Sequence, residues 1–101
     1  MPAYLIVRSE VQELDRCAFD HWYEMEHLPD ANSAFKAQAA YRGWADGVSG
    51  VHFAVYRFPH LERAREIVAS DEIKTLIAEF DRVWQGRVKR TREIFEVTQA
   101  L

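Results

Sequence analysis

The segment from His21 to Asp30, HWYEMEHLPD, holds the densest group of side chains in the chain that could carry acid–base or metal chemistry. Imidazole and carboxylate groups are common proton carriers and metal ligands. The histidines His21 and His27 are six residues apart, which separates them by about 9 Å along a helix axis. Two rings on one zinc ion need the spacing i, i+4. The segment therefore predicts no metal site by itself, although a partner subunit could add a ligand, and it favours acid–base chemistry.

A helical apolar stripe runs through the same region. Its members are Val11, Leu14, Ala18, Trp22 and Met25. At a helical period these residues share one face, which we expect to pack on the core, and Pro29 is expected to end the helix. On a helical wheel His21 lies at the edge of this stripe, whereas His27 points away from it. His27 also lies at the predicted helix end, where the helix dipole favours an imidazolium. We predict His27 as general acid or base, oriented by Glu24 or Glu26; the alternative is a histidine that only satisfies a helix-end carbonyl.

The remaining sequence predicts strands over residues 3–8, 39–45, 51–58 and about 91–97, and two further helical stripes. Ser70 is a favourable N-cap between those stripes, and Gly86 supplies a stop after Trp84. The order strand–helix–strand–strand–helix–strand is that of the α+β, ferredoxin-like βαββαβ arrangement, a four-stranded antiparallel sheet with its helices on one face. We predict one such domain over residues 1–101.

The predicted third strand, VHFAVYRF, is apolar on both faces. A strand that faces water on one side alternates apolar with polar residues. In a chain of 101 residues nothing else remains to cover a second apolar sheet face. We therefore predict a homodimer packed sheet to sheet; the alternative is a solvent-exposed sheet with a few aromatic side chains.

Composition limits the partners and the compartment. The net charge of −3 lacks the basic field that nucleic acid or an acidic membrane attracts. An RNA-recognition module shares the element order, but its strand signature of a basic residue, glycine and an aromatic is replaced by Ser49, Gly50 and Val51. The single cysteine, Cys17, forms no internal disulfide and no cysteine zinc site. The sequence shows no membrane-spanning segment and no signal peptide, so we predict a cytoplasmic protein.

The element order and the step His27-Leu28-Pro29 after an aromatic-rich first helix resemble the dimeric α+β barrel superfamily, and most of all its EthD-like members. The resemblance implies two sheets face to face, with a ligand cavity in each protomer. It also implies isomerisation, cyclisation, breakdown or oxygenation of an aromatic or polyketide-like compound, often without a metal or cofactor. A histidine acts as general acid or base in such proteins, and that role falls on His27 here.

Alternation along the strands selects the candidate cavity walls. If Leu5 and Val7 face the helices, Arg8 faces the barrel interior. We assign His52 and Tyr56 of the third strand to that same interior, and the register of the second strand, hence Tyr41 or Trp44, stays open. The predicted ligand-binding residues are Trp22, Tyr41, His52, Tyr56 and Arg8. No cofactor is predicted, with haem and flavin left open, and a non-catalytic ligand-binding or assembly protein is the alternative function.

Overall fold

The computed structural model describes all residues from Met1 to Leu101. Its sheet has the strands β1 (Ala3–Val11), β2 (Ala39–Trp44), β3 (Val51–Phe58) and β4 (Val88–Glu96). They lie in the order β2-β3-β1-β4, and every neighbouring pair is antiparallel. The predicted ferredoxin-like arrangement is therefore confirmed.

Helices connect the strands on one side of the sheet. The first connection contains a short 3-10 turn (Glu13–Asp15), α1 (Arg16–Trp22), a π-helical turn (Tyr23–His27) and α2 (Leu28–Phe35). The second contains α3 (Leu61–Val68) and α4 (Asp71–Trp84). None of these helices has the length and apolar character needed to cross a membrane.

The strand β1 alternates between the two faces of the sheet. Leu5, Val7 and Ser9 are buried on the side of the helices, whereas Ile6 and Arg8 are half-buried on the opposite, open face. Successive side chains in a strand point to opposite faces, and the β-branched and aliphatic residues of β1 suit this half-buried position. The predicted faces of β1 are confirmed.

The predicted faces of β3 are wrong. In the antiparallel register Leu5 pairs with Tyr56, and Ser9 pairs with His52. Directly paired residues share a face, so both His52 and Tyr56 lie under the helices, where they are almost fully buried. Phe53 and Val55 point to the open face instead. Because β3 is apolar on both faces, its alternation alone could not identify the helix-covered side.

The register of β2 places its candidate residues on opposite faces of the sheet. Trp44 pairs with His52 and Arg42 pairs with Ala54, which puts both on the helix-covered face. Tyr41 pairs with Val55 on the open face and is 55% exposed. The open face of the protomer therefore carries Tyr41, Phe53 and Val55, the surface on which the homodimer prediction depends.

The first helical segment differs from the predicted stripe. Its buried side chains are Phe19, Tyr23 and His27, whereas Leu14 and Met25 are 95% and 62% exposed. The predicted core stripe is thus wrong for Leu14, Ala18 and Met25, which are exposed, whereas Trp22 packs against the core as predicted. His27, expected to point away from the core, is buried. The heptad-like spacing of small and apolar residues was misleading because the buried face is formed mainly by large aromatic rings at the spacing i, i+4.

The helical path also continues beyond the predicted end at Pro29. The backbone N–H of Leu28 donates to the carbonyl of Tyr23, five residues earlier, which defines a π turn. Proline lacks an N–H and its ring clashes with the carbonyl four residues earlier in a regular α-helix. The wider turn accommodates Pro29 at the start of α2, and the helix ends only at Lys36, which adopts the left-handed conformation (φ 51°).

The second helical connection follows the prediction closely. The Ser70 hydroxyl accepts a hydrogen bond from the N–H of Ile73 at 3.2 Å, so the predicted N-cap of α4 is confirmed. The helix buries Ile73, Phe80 and Trp84 against the core. These rings and aliphatic groups form the wall that faces the first helical segment.

Candidate functional site

A small cavity of about 30 Å³ lies between the helices and the sheet. His27 lies at its wall, and only 7% of the residue is exposed. The cavity is lined by Leu5, Val7, Tyr23, His27, Ala31, Phe35, Tyr56, Ile73, Leu76, Ile77, Arg90 and Arg92. Most of the wall is apolar, and its polar groups are two phenols, one imidazole and two guanidinium groups.

The π turn determines where the His27 ring lies. The rings of Trp22 and His27 stack with centroids 4.5 Å apart and planes inclined by 18°. Tyr23 meets the same imidazole at 4.9 Å in an edge arrangement, and Phe80 of α4 lies 5.7 Å away. No protein group forms a hydrogen bond with the His27 ring. The imidazole is held by aromatic contacts, and its nitrogens remain unpaired.

The surroundings keep His27 neutral. Burial, and after it the guanidinium of Arg90, lower its pKa from 6.5 to about 4, although the carboxylate of Glu79 opposes the change. The expectation that a helix end favours the imidazolium is wrong, because the helix continues to Phe35 and no terminal carbonyls face the ring. At neutral pH the imidazole is therefore uncharged, with one ring nitrogen free to accept a proton and the other carrying an N–H.

Two buried phenols stand beside this imidazole. Burial raises the pKa of Tyr23, and burial together with the neighbouring Tyr23 raises that of Tyr56. Both hydroxyls therefore stay protonated at neutral pH and can donate. Sequence reasoning missed Tyr23, although the spacing i, i+4 between Phe19, Tyr23 and His27 would have identified it.

His52 belongs to a separate polar network. Nη1 of Arg42 lies 3.3 Å from Nε2 of His52 and donates to Asp20 at 2.8 Å. The indole N–H of Trp44 donates to the same Asp20 oxygen at 2.8 Å, and these bonds lower the pKa of that carboxyl. Burial, then Arg42, lower the pKa of His52 to about 4. His52 contacts Tyr23, with ring centroids 4.5 Å apart, but does not line the cavity of His27.

The structure thus brings together only part of the predicted site. Trp22 and Tyr56 lie with His27 between the helices and the sheet. Arg8 and Tyr41 lie on the open face, so the sheet separates them from the imidazole. The prediction of one shared site that contains all these residues is wrong, because it assigned the two faces of β3 the wrong way round.

Two arginines that sequence reasoning did not assign complete the cavity wall. Arg90 and Arg92 pair with Ser9 and Val7 of β1, on the helix-covered face of β4. The guanidinium of Arg90 lies 3.9 Å from the centroid of the Phe80 ring and 3.3 Å from Asp81. The alternation of charged residues along β4 was visible in the sequence, but only the register shows which of them face the helices. No group of three histidine, cysteine or acidic residues is placed to hold a metal ion.

The fold can be compared with solved structures, whereas no family model and no curated protein matches the sequence. An ethyl tert-butyl ether D (EthD) family protein from Bacillus halodurans C-125 superposes with a TM-score of 0.77 at 20% identity, covering 97% of this chain and 100% of that one. SnoaB, a cofactor-independent oxygenase from Streptomyces nogalater, gives 0.68 at 10% identity, covering 99% and 96%.

A third similar structure is a dimeric protein of unknown function and ferredoxin-like fold from Bacteroides fragilis NCTC 9343. It gives a TM-score of 0.66 at 10% identity, covering 95% of this chain and 96% of that one. At these identities the likeness concerns the fold. The chain has a ferredoxin-like fold, as the element order predicted, and an EthD family protein is among the structures that share it.

Proposed function

We propose that this protein binds a small aromatic or polyketide-like molecule between its helices and its sheet, with His27 as the general base of a cofactor-independent reaction. The observation that carries the proposal is a largely buried, neutral imidazole at the wall of a cavity. A titratable group whose pKa is strongly shifted by burial and that lines a cavity is a candidate functional group. Isomerisation, cyclisation, breakdown and oxygenation of a ligand can each begin when a base removes a proton from it.

The arrangement of the wall suggests how an isomerisation would proceed. A ring nitrogen of His27 accepts a proton from a carbon next to a carbonyl group, and the electron pair of the broken C–H bond moves to the carbonyl oxygen. The protonated hydroxyls of Tyr23 and Tyr56 donate hydrogen bonds to that oxygen, where negative charge develops. The imidazolium then returns the proton to a different carbon. Trp22, stacked on the imidazole, keeps its plane fixed throughout.

The fold supports this reading at a coarser level. SnoaB, which shares it, is a cofactor-independent oxygenase. The open face of the sheet, with Phe53 and Val55, supports the homodimer, and one structural neighbour with this fold is dimeric. The site of His27 lies on the other face, so each protomer would carry its own cavity.

The size of the cavity favours a second candidate, a ligand-binding or assembly protein without catalysis. A volume of about 30 Å³ has room for one or two water molecules, whereas an aromatic ring needs on the order of 150 Å³. Catalysis on such a ring requires side chains of α2 or α4 to move aside, and an assembly protein requires no such movement. Turnover of a ligand distinguishes the two functions.

The test is turnover of a panel of small aromatic ketones and polyketide-like phenols, followed by mass spectrometry and by deuterium exchange from solvent. The informative variant is His27→Phe, which keeps the stacked ring but removes both nitrogens. His21→Phe, on the exposed face of the same segment, is the matched control. We expect exchange or conversion in the wild-type protein and in His21→Phe, and a loss of at least about 100-fold in His27→Phe. Equal activity in all three proteins would overturn the role of His27.

A further inference from the structure

The cavity of His27 adjoins two surface grooves of opposite charge. Arg90 and Arg92 line both the cavity and a groove of about 210 Å³ beside the C-terminal half of α4. On another side, Leu76 lines both the cavity and a groove of about 340 Å³ between α2 and α4. That second groove carries the carboxylates of Asp30, Glu72 and Glu79 and no cationic residue. The cavity therefore adjoins a basic groove on one side and an acidic groove on another.

The basic groove has more positive than negative charge. Asp81 pairs with Arg90 at 3.3 Å, whereas Arg92 forms no ion pair and no side-chain hydrogen bond. The side chain of Arg90 is only 13% exposed and is held over the ring of Phe80. Two guanidinium groups thus share one carboxylate beside a cavity, in a protein whose net charge is −3. Burial and the nearby charge of Arg92 both lower the pKa of Arg90, which means that they disfavour its charged form. An anion between the two guanidinium groups would offset both effects.

The shape of the guanidinium group narrows the class of anion. Its planar set of N–H donors matches the two oxygens of a carboxylate, and such charged hydrogen bonds are stronger than neutral ones. The acidic groove repels an anion, so it would enter beside Arg92. From these observations we infer that the ligand of the proposed function is a carboxylate, bound through Arg90 and Arg92 with its carbon skeleton directed towards His27. The inference rests on the proposed small-molecule site.

The experiment compares two probes of the same shape, 2-naphthoate and its neutral amide, by isothermal titration at pH 7. The proteins are the wild type, Arg92→Gln, Arg92→Lys and the matched control Arg65→Gln, which removes an exposed arginine of α3. We expect the wild type to bind the carboxylate at least about tenfold more tightly than the amide, as one charged hydrogen bond would give. Arg92→Gln should lose that preference, Arg92→Lys should keep part of it, and Arg65→Gln should behave as the wild type.

The outcomes separate this inference from the function on which it rests. Equal binding of both probes, unaffected by Arg92→Gln, would overturn the carboxylate site and leave the small-molecule site standing. Binding of neither probe would contradict both. A preference for the carboxylate that falls equally in Arg92→Gln and Arg65→Gln would also overturn the inference, because it would reflect overall charge and not this groove. Circular dichroism of the variants confirms that each is folded.

Discussion

The indole of Trp22 and the imidazole of His27 stack across a π turn, with ring centroids 4.5 Å apart, although the two residues are five positions apart in the sequence. In a regular α-helix residues at this spacing point about 140° apart. A π turn has more residues per turn, which brings the two rings to the same side. The widened turn therefore allows the imidazole to stack on Trp22, and π turns of this kind occur often at functional sites.

The residue that requires the widened turn is Pro29. In Pro29→Ala an N–H is available and the ring clash is gone, so the helix can return to the regular register and carry His27 away from Trp22. We expect the His27 ring protons, shielded by the indole in the wild type, to move downfield in a ¹H–¹³C spectrum. Pro59→Ala, in the turn after β3, is the control and should leave them unchanged. Identical His27 signals in Pro29→Ala would show that proline does not set the turn.

The stability of the fold should depend on pH through its two buried histidines. His27 and His52 have pKa values of about 4 in the folded protein, below the ordinary value of 6.5. At pH values between about 4 and 6.5 the unfolded chain binds more protons than the folded protein does. The free energy of unfolding therefore falls as the pH decreases from about 6.5 to about 4. Each histidine contributes a change on the order of 3 kcal/mol across that window.

Urea unfolding at pH 7, 5.5 and 4.5 measures this dependence. His27→Phe removes one of the two titrating groups and should flatten the curve relative to the wild type, whereas His21→Phe should not. A parallel decline in all three proteins would mean that carboxyl groups, and not buried imidazoles, govern stability at acidic pH.

The side chain of Leu76 separates the cavity from the groove between α2 and α4. In Leu76→Ala the two spaces should join, at a loss of stability of about 1–3 kcal/mol, because the residue is only half-buried. We expect fluorobenzene to bind this variant more tightly than the wild type, as followed by ¹⁹F NMR. Leu61→Ala on α3, also half-buried, should lose stability without gaining affinity. Unchanged fluorobenzene binding in Leu76→Ala would show that this side chain does not close the cavity.

The open face of the sheet should hold the homodimer together. A carboxylate at Val55, in the middle of β3, would be buried without a partner in a sheet-to-sheet interface, and such burial is strongly destabilising. Val55→Asp should therefore reduce the mass measured by light scattering to that of the 11.8 kDa protomer. Val68→Asp, an exposed position of α3, should keep the mass of the wild type. A wild-type protein that is already monomeric would disprove the dimer.

Local signals in the sequence were sufficient for most of the fold. The strand β3 begins and ends where its composition predicts, and Ser70 caps α4 as expected. Each of these features depends on a few neighbouring residues. The prediction that β1 directs Leu5 and Val7 to the helices also holds, and Arg8 is the local signal that the alternate residues belong to the other face.

The site itself could not be predicted in the same way. The faces of β3 depend on its pairing with β1, where Leu5 meets Tyr56, and an apolar strand carries no local record of that register. His27 was placed on the wrong side because the helical wheel was centred on Ala18, which is exposed; a wheel centred on Phe19 and Tyr23 places His27 beside the buried face. Pro29 correctly indicated an irregular backbone, but the irregularity is a π turn within the helical segment and not the end of the helix.

A crystal structure of the protein with a bound aromatic ligand that it converts would show whether His27 acts on that ligand. We expect the ligand between the helices and the sheet, with a reacting carbon or oxygen within about 3.2 Å of a ring nitrogen of His27. A ligand bound instead on the open face, against Tyr41 and Arg8 and across the sheet from the imidazole, would contradict this expectation.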